Sequence, residues 1–126
     1  MKTKFNFNSQ ICTTREQSER LLALGLRKET ADMCRYKDSD GYWMTGLVEE
    51  IEQDIIEYYD TPAWSLGRLI KLMPKTAIMH TQEGDARIDI DMYAIEILVS
   101  DDSIAEAVSI IEWLIKEGNF NKEYLV

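Results

Sequence analysis

The chain is poor in the residues that usually carry metal or redox chemistry. It holds one histidine, His80, and two cysteines, Cys12 and Cys34, among 126 residues. A single histidine leaves no route to a two-histidine zinc site. The cysteines stand in neither a Cys-x-x-Cys nor a metal-ligand spacing, so they are expected as reduced, structural thiols. No nucleophile motif surrounds any Ser or Cys, which leaves His80 without the partner a Ser-His-Asp or Cys-His system needs. His80 is therefore read as a structural or surface residue. Long apolar runs are missing as well: none approaches the about 18 residues that span a bilayer. The start, Met1 to Asn8, carries Lys2 and Lys4 but no apolar run behind them, so no signal peptide and a cytoplasmic setting are expected. Basic residues are in the minority, 14 Lys and Arg against 23 Asp and Glu, for a net charge of -9. That charge repels a phosphate backbone and disfavours nucleic-acid binding. It leaves room for a basic protein partner, or for imitation of a polyanion.

What is present is a core. At 45% hydrophobic and 29% charged residues, with three Trp, six Tyr and three Phe, the composition is that of a globular domain rather than a disordered one. No repeat or linker breaks the chain, so residues 1–126 are expected as one domain, with 1–12 loosely attached.

The periodicity predicts an α+β fold, with short helices in the first half. Thr13-Thr14-Arg15-Glu16-Gln17 offers two overlapping capping boxes, Thr13 with Glu16 and Thr14 with Gln17. The helix that follows should bury Leu21, Leu22 and Leu24 and stop at Gly25, with a second short turn over Lys28 to Met33. Asp38-Ser39-Asp40-Gly41 reads as a turn leading Tyr42-Trp43-Met44 into a strand. The acidic run Glu49 to Asp60 has Leu47, Ile51 and Ile55 at about four-residue spacing, which favours a helix, although six acids with no base to pair them oppose it. The stretch Thr61 to Pro74 reads as a helix: Pro62 suits a first turn, Thr61 or Ser65 can cap it, and Leu66, Leu69, Ile70 and Met73 form one stripe that Pro74 ends.

The second half predicts a small antiparallel sheet over about residues 76–99. Thr76 to His80 forms one strand, Gln82 to Asp85 the turn, and Ala86 to Tyr93 alternates strictly with Ile88, Ile90 and Met92 on one face. From Tyr93 to Val99 the apolar face switches, which calls for a bulge near Ala94 or a further strand. A C-terminal helix over about 103–117 then packs on the sheet, with Ser103 and Glu106 as its capping box and Gly118 as its stop. Phe120, Tyr124 and Leu125 of the tail dock loosely on the body.

The run Thr13 to Leu26, then Glu29-Thr30-Ala31-Asp32-Met33, then Pro62-Ala63-Trp64-Ser65-Leu66, and late Glu112-Trp113-Leu114 resembles a set of uncharacterised small proteins from prophages and mobile elements of gut anaerobes. The resemblance covers about residues 13–118, with Pro-Ala-Trp-Ser-Leu as its most specific part. Residues 46–60 depart from the pattern. It implies a cytoplasmic, phage-linked setting and brings no catalytic residues with it.

Several constellations invite chemistry. Asp38-Ser39-Asp40-Gly41 fails as a calcium loop, because aligning Gly41 at the sixth position puts Tyr36 first and Leu47 twelfth, where ligands are needed. Asp89 and Asp91 on one strand face could hold Mg²⁺ with a substrate phosphate, although alternation alone places polar residues there. Thr14 to Met33 has the outline of a helix-turn-helix, with Glu29 and Asp32 set among its bases. Tyr42, Trp43 and Trp64 lie near turn or helix boundaries, either filling the core or anchoring an interface. The reading that follows is a non-enzymatic accessory protein that binds another protein, without cofactor, catalytic or metal-binding residues. Self-association is open to it. The competing readings are a metal-assisted phosphoryl-transfer enzyme on Asp89 and Asp91, and a DNA-binding regulator through Thr14–Met33. An acidic decoy built on Glu49 to Asp60 is a variant of the first.

Overall fold

Helix α1, Arg15–Ala23, opens on a full capping box: Gln17 N–H donates to the Thr14 hydroxyl, and the Gln17 side chain accepts from the Thr14 N–H. Of the two overlapping boxes in the sequence, the later one forms. Thr13 cannot serve as a cap because it is fully buried and its hydroxyl is engaged with Ser18 at 2.7 Å. The helix stops as expected at Gly25, whose φ of +98° lets Leu26 N–H reach back to the Leu21 carbonyl.

The computed structural model describes residues 10–48 and 59–126, and these form an α+β fold. After α1 and a three-residue 3-10 turn, Lys28–Thr30, come strands β1, Met33–Lys37, and β2, Trp43–Leu47. Strand β3, Tyr59–Ala63, precedes helix α2, Leu66–Leu72. A hairpin of β4, Thr76–Thr81, and β5, Gly84–Asp89, leads to α3, Ile90–Val99, and α4, Ser103–Lys116. A last 3-10 turn spans Lys122–Tyr124.

The first half is thus a three-stranded antiparallel sheet of order β2-β1-β3 beside α1, where the sequence suggests mainly short helices and, of these strands, only the one entered by Tyr42-Trp43-Met44. The Asp38 turn is as read. Its carboxylate accepts from the Asp40 and Tyr42 N–H groups, and Gly41 takes φ +85° to close the β1–β2 hairpin. Thr61, Pro62 and Ala63 belong to β3 and not to a helix. Pro62 lacks the donor a central strand needs, but among the described residues β3 is an edge, and a register shift between Arg35 and Tyr36 loosens the pairing there. Ser65 then caps α2 by accepting from Arg68 N–H, and its own hydroxyl donates to the Asp32 carboxylate. The acidic run expected as a helix lies outside the described residues, except Tyr59 and Asp60, which open β3. Residues 1–9, part of the start expected to be loosely attached, also lie outside them.

The second correction concerns residues 90–99. The hairpin ends at Asp89, and the whole of Ile90–Val99 is helical. Ile88, Ile90 and Met92 alternate like a strand, but Ile90 and Ile97 are two turns apart on a helix and both are buried, at 3% and 0% exposure. The apparent switch of faces is therefore the passage from strand to helix. Helix α4 runs nearly as expected, with a different start: Asp102 is the N-cap and makes no side-chain cap, while the Ser103 hydroxyl turns back to the Ser100 carbonyl. Its end is closed by Gly118 at φ +73°, with Asn119 N–H donating to the Leu114 carbonyl.

The main core joins α1, α2, α3 and α4 with Trp64, Ala77 and Phe120. A smaller cluster of Cys12, Met33 and Ala63 lies on the three-stranded sheet. The tail docks through backbone bonds: Arg27 N–H reaches the Tyr124 carbonyl, and Val126 N–H the Gly25 carbonyl. Arg20 and Glu112 form an ion pair between α1 and α4.

Candidate functional site

The three aromatic residues named from the sequence part company. Trp64 is fully buried in the main core, and its indole N–H donates to the Thr30 hydroxyl at 2.9 Å. Its backbone is equally held, since Trp64 N–H donates to the Thr13 hydroxyl and its carbonyl accepts from Thr13 N–H. It therefore has no surface to offer a partner. Tyr42 and Trp43 do: they stand 70% and 49% exposed where the β1–β2 hairpin turns into β2.

Register explains what surrounds Trp43. It pairs with Lys37 on β1, and Arg35 lies two residues back, so all three side chains rise from the same face of the sheet. Arg15, in the first turn of α1, comes over the same ring. The Arg15 guanidinium lies 4.7 Å and the Lys37 ammonium 5.0 Å from the Trp43 ring centroid. Each such contact contributes on the order of 0.5–1 kcal/mol at an exposed site. Arg35 donates to the Thr13 carbonyl, while its Nε is buried with no hydrogen-bond partner among the described residues. In a chain of net charge -9 this is a local basic and aromatic spot. Beside it, Met44, Leu47 and Val48 are also more than 40% exposed, and among the described residues β2 is an edge of the sheet.

A second apolar surface was hidden in the sequence by the strand reading of residues 90–99. On α3, Met92, Ile95 and Val99 fall at i, i+3 and i+7 and are 65%, 63% and 80% exposed, with Leu98 beside them at 63%. A helix apolar on nearly every side is normally covered on every side. Among the described residues the buried side of α3 is that of Ile90 and Ile97. The surface continues into a groove of about 230 Å³ between the hairpin, α3 and α4, lined chiefly by Met79, Ile88, Tyr93, Ile110 and Trp113. The sequence signal was available: the run Ile90 to Val99 holds only two charged residues, Asp91 and Glu96, and both fall beside the Met92–Ile95–Val99 stripe rather than in it.

The other constellations are dispersed. Asp89 ends β5, and Asp91 is in the first turn of α3, so they do not share a strand face; both are exposed. Among the described residues no group of three or more His, Cys, Asp or Glu side chains is placed to hold a metal ion. The helix-turn-helix outline resolves into α1, a three-residue turn and strand β1, which gives no second helix for a DNA groove. His80 is on the exposed face of the β4–β5 hairpin, opposite Asp85, whose carboxylate is 2.7 Å from Nδ1. That hydrogen bond, aided by the carboxylate charge, raises the imidazole above its ordinary range. Cys12 and Cys34 are free and buried, and burial raises both thiols, which keeps them protonated and unreactive near neutral pH. No helix among the described residues is long and apolar enough to cross a membrane. Comparison with protein-family models, with curated proteins and with solved structures finds no match to this chain.

Proposed function

We propose that this chain is a non-enzymatic accessory protein that acts by binding another protein, with the β1–β2 hairpin as its binding surface. The observation that carries the reading is the exposure of Tyr42 and Trp43 at the start of an edge strand. An edge strand offers unpaired backbone groups to an incoming segment, and exposed aromatic rings next to it supply anchors. Arg15 and Lys37 hold the Trp43 ring in place, so the anchor is ordered before the partner arrives and loses less entropy on binding. The net charge of -9 lies away from the Trp43 ring, which Arg15, Arg35 and Lys37 surround, so the rings rather than long-range charge supply the recognition. The resemblance over residues 13–118 supports a phage or mobile-element setting in the cytoplasm.

Affinity capture from a bacterial host lysate, with the wild-type chain and with Trp43→Ala, tests this. Trp43 is a surface residue, so the variant should keep its circular dichroism spectrum. The expected result is a protein retained stoichiometrically by the wild type and lost by the variant. Repeated failure of the folded wild type to retain any protein, or equal retention by Trp43→Ala, would contradict it.

A further inference from the structure

We infer that the hairpin takes an extended acidic segment of its partner, added as a strand along β2; this rests on the hairpin being the binding surface. The hydrogen-bond pattern fixes which backbone groups β2 offers. Asp38 N–H donates to the Tyr42 carbonyl, and Val48 N–H to the Asp32 carbonyl. In the β1–β2 register the bonded pairs are therefore the even-numbered ones, such as Tyr36 with Met44 and Cys34 with Gly46. The N–H and C=O groups of Trp43, Thr45 and Leu47 point the other way, to the edge that β2 presents among the described residues. Outward groups at alternate residues are the template for an added peptide strand.

The side chains of the same rows set the chemistry of that segment. Lys37, Trp43 and the residue added opposite Trp43 stand in one row across the sheet. Arg35, Thr45 and the residue added opposite Thr45 stand in the next, and Thr45 is too short to screen Arg35. Both rows rise on the face that Arg15 overhangs, around a hollow of about 290 Å³ between Arg15, Arg35 and Trp43. Asp38, which follows Lys37, falls on the opposite face, and its carboxylate is taken by the Asp40 and Tyr42 N–H groups. Two residues of the segment, at i and i+2, thus meet three cations, where carboxylates gain charge-assisted hydrogen bonds. The residue between them falls on the side of Tyr42 and Met44, 70% and 44% exposed, and suits an apolar side chain. The segment is acidic and apolar by turns. Its sign is opposite to that of the basic partner expected from the net charge.

Titration of the isotope-labelled full chain with the blocked peptide Glu-Ile-Glu-Val-Glu-Ile, followed by amide NMR, tests the inference. The same peptide with Gln or with Lys in place of Glu is the comparison. The expected result is saturable shifts at Trp43, Thr45 and Leu47 with the acidic peptide and none with the Lys peptide. Binding should fall about tenfold with the Gln peptide, and again between about 50 mM and about 500 mM salt. Lys37→Glu, at an exposed position, should weaken the acidic peptide about tenfold and admit the Lys peptide. An unchanged thermal midpoint shows that variant folded. Equal binding of the Gln peptide overturns the inference, as does an acidic peptide that leaves β2 unshifted or is indifferent to Lys37→Glu. A single-stranded oligonucleotide that displaces the peptide overturns it too. Lysate capture lost with Trp43→Ala yet unchanged by Lys37→Glu would leave the hairpin reading standing and overturn this one.

Discussion

The side chain of Asn119 grips the backbone of Ile78 at both its N–H and its carbonyl. Its Oδ1 accepts from the Ile78 N–H, and its Nδ2 donates to the Ile78 carbonyl, each at 3.0 Å. The amide imitates a neighbouring strand for one residue, satisfying the free side of β4 at that point. Because Asn119 follows directly on the stop of α4, the grip ties the β4–β5 hairpin to the end of that helix. The groove between Met79 and Trp113 takes its shape from this junction.

Asn119→Asp should therefore be more disruptive than its size suggests. It exchanges the Nδ2 donor for an oxygen directed at the Ile78 carbonyl. A hydrogen bond is worth about 0.5–1.5 kcal/mol net, and the variant loses one and adds a repulsion. A loss of about 1–2 kcal/mol in urea unfolding is expected, larger than the loss for Asn119→Ala, which lets water reach both groups. Equal stability of all three proteins would show that the grip contributes nothing.

The second expectation concerns Thr13 and Trp64. The Thr13 hydroxyl, fully buried, meets both the Ser18 hydroxyl and the Trp64 N–H. Thr13→Val keeps the shape and leaves two buried polar groups without that partner, each costing about 1–3 kcal/mol. Thr13→Ser should retain most of the stability. Trp64→Ala should cost about 3–5 kcal/mol as a large core truncation. Chemical denaturation measures all three. A Trp64→Ala protein as stable as the wild type would contradict the core assignment.

The sole histidine provides a third check. The Asp85 carboxylate raises His80 in the folded chain, so protonation is favoured in the folded state relative to an unfolded value near about 6.5. The stabilisation from the pair is therefore complete below that unfolded value and is lost as pH rises through the higher folded value. Proton NMR titration should give a folded value above about 6.5 for His80, returning toward it in Asp85→Asn. An unchanged titration in that variant would remove Asp85 as the cause.

The elements legible in the sequence are those fixed by neighbours along the chain. The Thr14–Gln17 box, the Asp38–Gly41 turn, the β4–β5 hairpin and the stripe of α4 all depend on residues a few positions apart. The losses came where distant pairing decides. Met33 to Lys37 becomes a strand only because β2 and β3 flank it, and Thr61 to Ala63 joins it although Pro62 suits a helix start equally well. In Ile90 to Val99, apolar residues stand on nearly every side, so a period of two fits as easily as one of 3.6. The same ambiguity concealed the α3 surface: alternation hands half of those residues to a core, whereas the helix leaves them outside. Of the interface residues named from the sequence, Tyr42 and Trp43 could be placed by the turn before them. Trp64 could not, because its burial depends on Thr13, Thr30 and a main core assembled from distant segments.

The central claim is that Tyr42 and Trp43 on the β1–β2 hairpin form the binding surface, and capture from host lysate by the wild type beside Trp43→Ala tests it most directly. A protein retained stoichiometrically by the wild type and lost by the folded variant is the expected result. Equal retention by the variant, or none by the folded wild type, would contradict it.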